Sequence, residues 1–397
     1  MKALVFRNSL PRQAATMLGR RLSPRAYVAP FAPVRLEEVP EPVLPADGWV
    51  VCETVLSGIC GSDAKQMLLH GARDNPLTAL ISFPHVLGHE AVAIRADTRE
   101  RVVLDPWLSC GPRDVAPPCD ACSTGRYPQC RSFRRGVLPP ALHLGNCAGA
   151  GGTHAERFCA HESRLFAVPA DIGDEAAVLA DPASVSLHSI LQRPPDSTLP
   201  AMVYGCGTLG LAAIGLLRHL HPSLEIWAVS RPGVSAKLAT KLGADVVLPS
   251  RPDELIAEVA VRRDATPLVP WSGKRWLQDG PGVVYDTVGS PETVETSMRC
   301  LSTGGTLVIS GVEAPARFEW TPLYFKELHV VGSNAFGIED VGGVRRHAFE
   351  HYLDMVRGGL DLTPLVTHRF PLEQWDRAVL TITGRQRSGA VKILLEL

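Results

Sequence analysis

Three side chains of metal-binding type follow turns marked by glycine or proline. Cys60 lies in SGICGSD, His89 in FPHVLGHEA and Asp181 in LADPAS. A thiolate, an imidazole and a carboxylate leave a fourth coordination position open to water or substrate, which is the pattern of a catalytic zinc site. The three segments therefore predict an open metal centre. Taken alone, Cys60 is equally compatible with a buried core residue in a turn.

Four further cysteines follow a tighter pattern, C-x8-C-x2-C-x7-C, in a loop rich in Gly and Pro. They are Cys110, Cys119, Cys122 and Cys130. Four thiolates brought together by turns predict a closed tetrahedral zinc site with no position left for chemistry. Two alternatives stay open: core cysteines without metal, and a nucleic-acid-binding zinc knuckle that uses the arginines of this loop, Arg126, Arg131, Arg134 and Arg135.

A glycine motif follows an apolar run in the middle of the chain. In AMVYGCGTLG, Gly205, Gly207 and Gly210 have G-x-G-x-x-G spacing, with Thr208 and Leu209 before the last glycine. An apolar strand precedes the motif and an apolar helix follows it, which is the context that a dinucleotide site requires. The motif predicts that a pyrophosphate binds at the helix N-terminus.

The next strand, EIWAVSRPG, ends where such sites recognise the ribose. An acid there would bond the ribose hydroxyls and repel a 2′-phosphate, whereas Ser230 offers a hydroxyl and Arg231 a cation. We therefore expect NADP to be preferred over NAD. The alternative is that Arg231 is only a solvated turn residue.

The segments that must position these residues show two patterns of predicted secondary structure. Short β-like runs between residues 34 and 166 predict an all-β barrel or sandwich. After residue 174, helices alternate with compact apolar strands, which predicts a doubly wound parallel sheet and an α/β fold class. After residue 332 we expect one amphipathic helix and a β-like tail that returns to the first part.

Composition excludes several classes of partner. A formal net charge of -1 over 397 residues gives no general attraction to polyanions, so we expect neither nucleic acid nor a membrane as a partner. The apolar stretch 199–220 contains four glycines and is assigned to a strand and helix rather than to a membrane span. Ten cysteines without a secretory signal predict a reducing compartment and a cytoplasmic protein. The arginine-rich segment 8–33 leaves targeting as the alternative.

Several motifs occur in the same order as in a known family. They are GICGSD, GHE, the four-cysteine loop, GCGTLG, VVYDTVG, LSTGGTLVISG and FKELHVVGS. Over nearly its whole length the chain resembles the zinc-dependent medium-chain dehydrogenases, which include alcohol and polyol dehydrogenases. The resemblance implies a GroES-like β-barrel catalytic domain and a Rossmann domain, with limits of 1–186, 187–334 and 335–397. It also implies a homo-oligomer, either a dimer or a tetramer.

The resemblance assigns roles to individual residues. It makes Cys60, His89 and Asp181 ligands of a catalytic zinc, and the four-cysteine loop the site of a second, structural zinc. Glu90 becomes a nearby carboxylate that bonds supporting groups or enters the coordination sphere transiently. Ser62 falls at the hydroxyl that relays the proton of a small-molecule alcohol. Lys65 replaces a histidine that often passes that proton on, and His70 and His85 are possible substitutes.

The sequence also departs from the family pattern. The first spacing of the cysteine loop is long, so we expect residues 113–118 to bulge outward. Segments 8–33, 74–82 and 264–280 look inserted. The predicted activity is hydride transfer between an alcohol or polyol and NAD(P). The alternatives are a zinc-independent double-bond reductase of the same fold and a non-catalytic scaffold that binds zinc and nucleotide.

Overall fold

The chain forms two compact units in a computed structural model that describes residues 1–71 and 75–397. The first unit comprises Met1–Asp181, Phe349–Arg357 and Val366–Leu397. The second unit comprises Pro182–Ala348 and Gly358–Leu365. The division falls where short strand-like runs in the sequence give way to alternating helices and strands, and the chain later returns to the first unit. The predicted domain limits themselves stay a prediction.

The first unit is built mainly from short strands. Its strands before the α/β segment are β1 (Lys2–Phe6), β2 (Val34–Glu38), β3 (Trp49–Ile59), β4 (His85–Val86), β5 (Glu90–Arg95), β6 (Arg101–Leu104), β7 (Arg157–His161) and β8 (Leu165–Ala167). Its helices in the same segment are α1 (Leu10–Gly19), α2 (Gly61–Met67), α3 (Asp120–Ser123) and α4 (Asp174–Ala177). Every second residue of β3 is buried from Cys52 to Leu56, which is the pattern of a strand covered on one face, and the residues from Leu56 to Ile59 are all buried.

The middle of the chain alternates helices and strands. The helices are α5 (Ala180–Gln192), α6 (Thr208–Leu220), α7 (Val234–Lys241), α8 (Pro252–Arg263), α9 (Pro291–Cys300) and α10 (Thr321–Phe325). The strands are β9 (Ala201–Tyr204), β10 (Ile226–Val229), β11 (Val246–Leu248), β12 (Val283–Asp286), β13 (Thr306–Ile309), β14 (His329–Gly332), β15 (Ile338–Val341) and β16 (Val344–His347).

Six of these strands form one parallel sheet with the order β11-β10-β9-β12-β13-β14. This is the strand order of a Rossmann fold, whose ligands bind where the order reverses, beside the first strand. The strand β9 is buried along its whole length, as expected of a central parallel strand. The predicted doubly wound sheet is confirmed.

The last segment completes the first unit. It contains α11 (Ala348–Arg357), β17 (Val366–Pro371), α12 (Trp375–Thr383), α13 (Arg385–Ser388) and β18 (Lys392–Glu396). In a seven-stranded sheet with the order β17-β18-β3-β5-β6-β8, and with β7 also paired to β3, β18 lies antiparallel to β3. A second sheet joins β2, β1 and β4. The final strand of the β-like tail thus lies in the sheet of the first unit.

The segments that look inserted differ in their structure. Residues 8–33 contain α1 and the 3₁₀ turn Pro24–Val28, whose Tyr27 packs into a core with Met67 of α2. Residues 264–280 are irregular, apart from a β-bridge between Leu268 and Trp276. In the third segment, Asp74 lies outside the described residues, and Pro76–Leu80 form a 3₁₀ turn. Within the described part of the chain, no helix combines the length and apolarity needed to cross a bilayer.

Candidate metal centres and cofactor site

Two of the three predicted open-site ligands come together at the ends of strands. Cys60 follows β3 and caps α2, while His89 immediately precedes β5, the antiparallel neighbour of β3. The Cys60 thiol, one imidazole nitrogen of His89 and a carboxylate oxygen of Glu90 all lie within 4.8 Å of one another. Sulfur, nitrogen and oxygen donors at this separation fit a zinc ion.

Asp63 places a buried negative charge beside the histidine of this cluster. Its carboxylate lies 3.4 Å from Nδ1 of His89, without the geometry of a hydrogen bond, and accepts a 3.0 Å bond from the Cys60 amide. Burial alone would raise the pKa of Asp63, but the nearby imidazoles of His89 and His154 hold it well below its usual range. An imidazole whose Nδ1 faces a carboxylate leaves Nε2 for a metal.

The support continues behind Asp63. Nε2 of His154 lies 3.6 Å from the Asp63 carboxylate, and its Nδ1 lies 2.8 Å from the Ser57 hydroxyl. That hydroxyl also lies 2.7 Å from Oγ1 of Thr153. Nε2 of His154 is too far from Asp63 for a hydrogen bond, so these two buried side chains interact electrostatically, whereas the Ser57 hydroxyl bonds Nδ1 of His154 directly. The His154 ring is therefore held by Ser57 at one nitrogen and faces Asp63 with the other.

Glu90 has a buried cationic partner. Lys392, on the last strand, bonds the Glu90 carboxylate and donates to the Ile59 carbonyl at 3.3 Å; both charged side chains are only 1 % exposed. Gly58 lies opposite Glu90 on β3, where a Cβ atom would come within 2.3 Å of the Glu90 carboxylate. Only glycine leaves room for this ion pair.

Asp181 lies near the cluster but outside the set of atoms within 4.8 Å of one another. It begins α5, is 7 % exposed, and interacts electrostatically with Glu90, His89 and Lys392. Burial, together with the negative charge of Glu90, raises the pKa of Asp181 to about 8. A bound cation would offset both effects and favour the ionised carboxylate.

The predicted relay residues lie on or beside α2. Ser62 is exposed in its first turn, and Lys65 is half-buried in its last turn. His85 is buried, with its two ring nitrogens bonded to the Ser82 carbonyl at 2.8 Å and to Gln66 at 2.9 Å. His70 is exposed and contacts Tyr27 edge-on. Both nitrogens of His85 are therefore engaged in hydrogen bonds.

The second cluster unites all four cysteines of the loop. The thiols of Cys110, Cys119, Cys122 and Cys130 lie within 4.8 Å of one another. The sulfur–sulfur distance is 3.6 Å for Cys110–Cys130 and 4.0 Å for Cys119–Cys130, close to the ~3.8 Å edge of a tetrahedron with zinc–sulfur bonds of about 2.3 Å.

Backbone amides surround these sulfurs. The amide of Ser132 donates to Cys130 at 3.2 Å, and that of Arg131 donates to Cys119 at 3.5 Å. Burial opposes ionisation of Cys119, but the backbone bonds from Arg131 and Cys122 prevail and lower its pKa to about 6. Amide donors that favour thiolates fit a tetrathiolate metal site.

The glycine motif adopts the turn that its spacing predicts. Gly205 ends β9 with φ +95°, and Gly207 caps the N-terminus of α6. A Cβ atom on Gly210 would lie 1.8 Å from the Gly205 carbonyl oxygen, so the helix can approach the strand only with glycine there. Thr208 and Leu209, both half-buried, form the first turn of α6. The backbone N–H groups of a helix N-terminus suit a pyrophosphate.

The two residues expected to recognise the ribose differ in accessibility. Ser230 is buried, and its hydroxyl donates to the Arg231 carbonyl at 3.0 Å. Arg231 is exposed. No partner for its guanidinium occurs within residues 1–71 and 75–397. The predicted preference for a 2′-phosphate therefore depends more on the exposed guanidinium of Arg231 than on the Ser230 hydroxyl, which is already hydrogen-bonded.

Three supporting residues were missed at the sequence level. Asp63 stands three residues after Cys60, and this spacing of a helix cap and an acid was a usable signal. Lys392 interrupts the apolar strand VKILLEL, which marks it as a paired buried charge. Nothing in the local pattern distinguishes His154, because its partners come from distant segments.

Fold and site together define a two-unit dehydrogenase with a nicotinamide-binding sheet. Residues 46–170 match the alcohol dehydrogenase GroES-like domain, and residues 208–356 match the zinc-binding dehydrogenase domain. The chain belongs to the zinc-type medium-chain dehydrogenase family. The predicted family and fold class are confirmed, and the family makes the chain an oxidoreductase of alcohols or polyols.

Individual relatives are similar over most of their length. L-idonate 5-dehydrogenase from Vitis vinifera is 24% identical over 353 residues, which cover 86% of each chain. (R,R)-butanediol dehydrogenase from Saccharomyces cerevisiae is 26% identical over 387 residues, which cover 90% of this chain and 94% of the relative. The crystal structure of galactitol-1-phosphate dehydrogenase from Escherichia coli superimposes with a TM-score of 0.73 at 22% identity and covers all of both chains.

Proposed function

We propose that the protein is a zinc-dependent dehydrogenase that transfers a hydride between a polyol or related secondary alcohol and a nicotinamide cofactor, with NADP(H) preferred. The observation that carries the proposal is the convergence of Cys60, His89 and Glu90 ligand atoms within 4.8 Å. The names of the relatives, an idonate and a butanediol dehydrogenase, support a substrate with more than one hydroxyl.

The residues that would hold the catalytic zinc are Cys60, His89 and a carboxylate. Asp181 is the proposed third ligand, and its pKa of about 8 in the absence of a cation supports that role. Glu90, bonded to Lys392, is the proposed neighbouring carboxylate. When bound, the metal supplies a Lewis acid that lowers the pKa of an alcohol towards neutrality.

The remaining steps belong to side chains and to backbone. Ser62 takes the alcohol proton, since it is exposed in the first turn of α2, two residues beyond Cys60. Lys65 is the proposed next group on the path. The N-terminus of α6 binds the pyrophosphate, and Arg231 binds a 2′-phosphate. Most of the rate gain comes from holding the reacting groups in the right geometry. We further propose a second zinc on the four cysteines, and a cytoplasmic homo-oligomer.

Metal content and turnover test the proposal together. Cys60→Ala should remove one zinc per chain and abolish turnover on a panel of polyols, alcohols and ketones followed by nicotinamide absorbance. Cys52→Ala is the matched control, because it removes a buried thiol outside both clusters from β3, the strand that Cys60 follows. Full activity of Cys60→Ala with unchanged zinc would overturn the zinc mechanism. No turnover by the zinc-loaded wild type on any substrate would instead favour a scaffold.

The identity of the third ligand has its own test. Asp181→Ala should lower the affinity of the catalytic site for zinc more than Glu90→Gln does. If Glu90→Gln releases the metal and Asp181→Ala retains it, Glu90 is the ligand and the assignment of Asp181 is wrong.

Cofactor preference is tested at Ser230. Ser230→Asp should weaken NADP(H) binding by roughly tenfold, or about 1.4 kcal/mol, and favour NAD(H), because a carboxylate repels the 2′-phosphate. A wild type that already binds NAD(H) more tightly than NADP(H) would contradict the proposed role of Arg231.

A further inference from the structure

Arg113 lies in the long first spacing of the cysteine loop, yet it points inward. Its side chain is 0% exposed, whereas Asp114 and residues 116–118 around it are exposed. The expectation that the whole of 113–118 bulges outward is therefore wrong for Arg113. The preceding carbonyl, of Pro112, accepts a 3.1 Å bond from the buried indole of Trp49, which draws this part of the loop into the core.

Every N–H group of the Arg113 guanidinium is used. It donates to five backbone carbonyls over 2.7–3.0 Å, those of Leu108, Arg135, Leu138, Pro139 and Ala141. A guanidinium has five N–H donors in a rigid plane, so the set is complete. The first of these carbonyls precedes Cys110 and the other four follow Cys130. Arg113 therefore ties the two ends of the cysteine loop together.

These bonds leave the charge itself without an anion. No carboxylate in the described part of the chain pairs with Arg113. A buried lysine of the second unit, Lys326, is in a similar position, since it donates to three carbonyls. Burial lowers the pKa of Lys326 to about 8, so it can lose its proton. Arginine stays charged under these conditions, so its burial requires a counter-charge nearby.

The groups that can supply this charge are thiols. Burial lowers the pKa of Arg113, and the electrostatic effect of Cys147, Cys130 and Cys110 opposes that change. Two of these three belong to the four-cysteine cluster, whose zinc complex carries two net negative charges when all four thiols are ionised. We propose that Arg113 is the positioning residue of the four-cysteine site: its cation balances the tetrathiolate, and its five bonds hold the loop ends so that Cys110 and Cys130 meet.

This inference rests on the second zinc of the proposed function. The experiment measures zinc per chain and the rate of zinc release to a chelator in wild type, Arg113→Met and Arg113→Lys. We expect Arg113→Met to fall from two zinc ions to one, with the remaining ion lost in the Cys60→Ala background. Arg113→Lys keeps the charge without the planar fork, so it should retain the second zinc but release it at least tenfold faster.

Two controls separate this role from general stability. Arg134→Met removes an exposed arginine of the same loop and should leave both metals in place. Leu144→Ala destabilises the neighbouring core without touching the guanidinium, and it should lower the melting temperature while keeping both metals. Substitution of cobalt for zinc adds a spectroscopic signature, because thiolate-to-cobalt absorption should be lost in Arg113→Met and retained in Leu144→Ala.

Three results would overturn the inference. The first is two zinc ions with an unchanged release rate in Arg113→Met or, if that variant does not fold, an unchanged rate in Arg113→Lys. The second is equal loss of the second zinc in Leu144→Ala, which would make the effect one of stability. The third is a zinc content in Cys119→Ser that equals that of the wild type. That result refutes the second zinc itself and leaves the catalytic proposal standing.

Discussion

The two candidate metal centres of the first unit draw on the chain in opposite ways. The four-cysteine site takes its ligands from within 20 positions and its supporting bonds mainly from backbone amides and carbonyls. The Cys60 site depends on buried side chains, and the partner of Glu90 stands 302 positions further along. One loop can supply four identical thiolate ligands that fill the coordination sphere of a metal. An open site has fewer ligands and needs charged side chains from distant parts of the chain to hold them in place.

The largest contrast should appear on removal of metal. A bidentate chelator such as 1,10-phenanthroline should withdraw the metal at Cys60 first and abolish turnover while one zinc per chain remains, because the open position admits the chelator and the closed site does not. Zinc content and activity, measured on the same samples, check this. Simultaneous loss of both metals would erase the distinction between the sites.

Loss of the distant charge should be the next largest effect. Lys392→Met leaves the Glu90 carboxylate buried without a partner, and we expect the free energy of unfolding to fall by about 3–5 kcal/mol. Urea denaturation measures it.

A matched control and a double variant sharpen that result. Lys2→Met breaks an exposed pair with Glu373 and should change stability little. The double variant Glu90→Gln/Lys392→Met should recover most of the loss, since neither charge remains. A single variant as stable as the wild type would mean that the open site does not depend on its last strand.

A smaller effect, on zinc affinity, is expected at Asp63, which faces the proposed zinc ligand His89. Asp63→Asn removes the negative charge that faces Nδ1 of His89, and the affinity of the Cys60 site for zinc should fall about 10- to 100-fold. Competition with a chromophoric chelator measures it, and the four-cysteine site should not respond. The control is Asp120→Asn, which removes an exposed acid within the cysteine loop. Equal weakening of both sites would show that Asp63 acts through general stability.

The smallest effect should come from His154. His154→Phe leaves the Ser57 hydroxyl and the Asp63 carboxylate each short of one partner, which predicts a loss of about 1–2 kcal/mol in stability. The fall in zinc affinity should be less than that of Asp63→Asn. If the two variants weaken zinc binding equally, the contacts of His154 with Ser57 and Asp63 are as important for zinc affinity as the Asp63 carboxylate itself.

Periodicity and spacing were sufficient for most of the fold. The change from short strands to alternating helices and strands, and the glycine motif after β9, predicted the sheet and its cofactor turn. The hairpin of β15 and β16 was missed, because IEDV and VRRH lack the apolar alternation of a half-buried strand, although Gly342 and Gly343 mark the turn between them.

The site was predicted unevenly for a physical reason. The four cysteines are recognisable because their spacing is local. Lys392 and His154 are set by pairings between distant strands, which no local pattern contains. The spacing of the cysteines could not predict that Arg113 points inward, because this orientation depends on carbonyls from both ends of the loop.

The position of Lys392 on the last strand has a consequence for biosynthesis. Domains fold largely as units, N-terminal first, during synthesis. Here the second unit is complete at Leu365, whereas the first still lacks β18, which follows later in the chain. The α/β unit can therefore fold on the ribosome before Glu90 gains its partner Lys392. A chain that stops before Lys392 would keep an intact nucleotide-binding sheet but would have an unfinished metal centre.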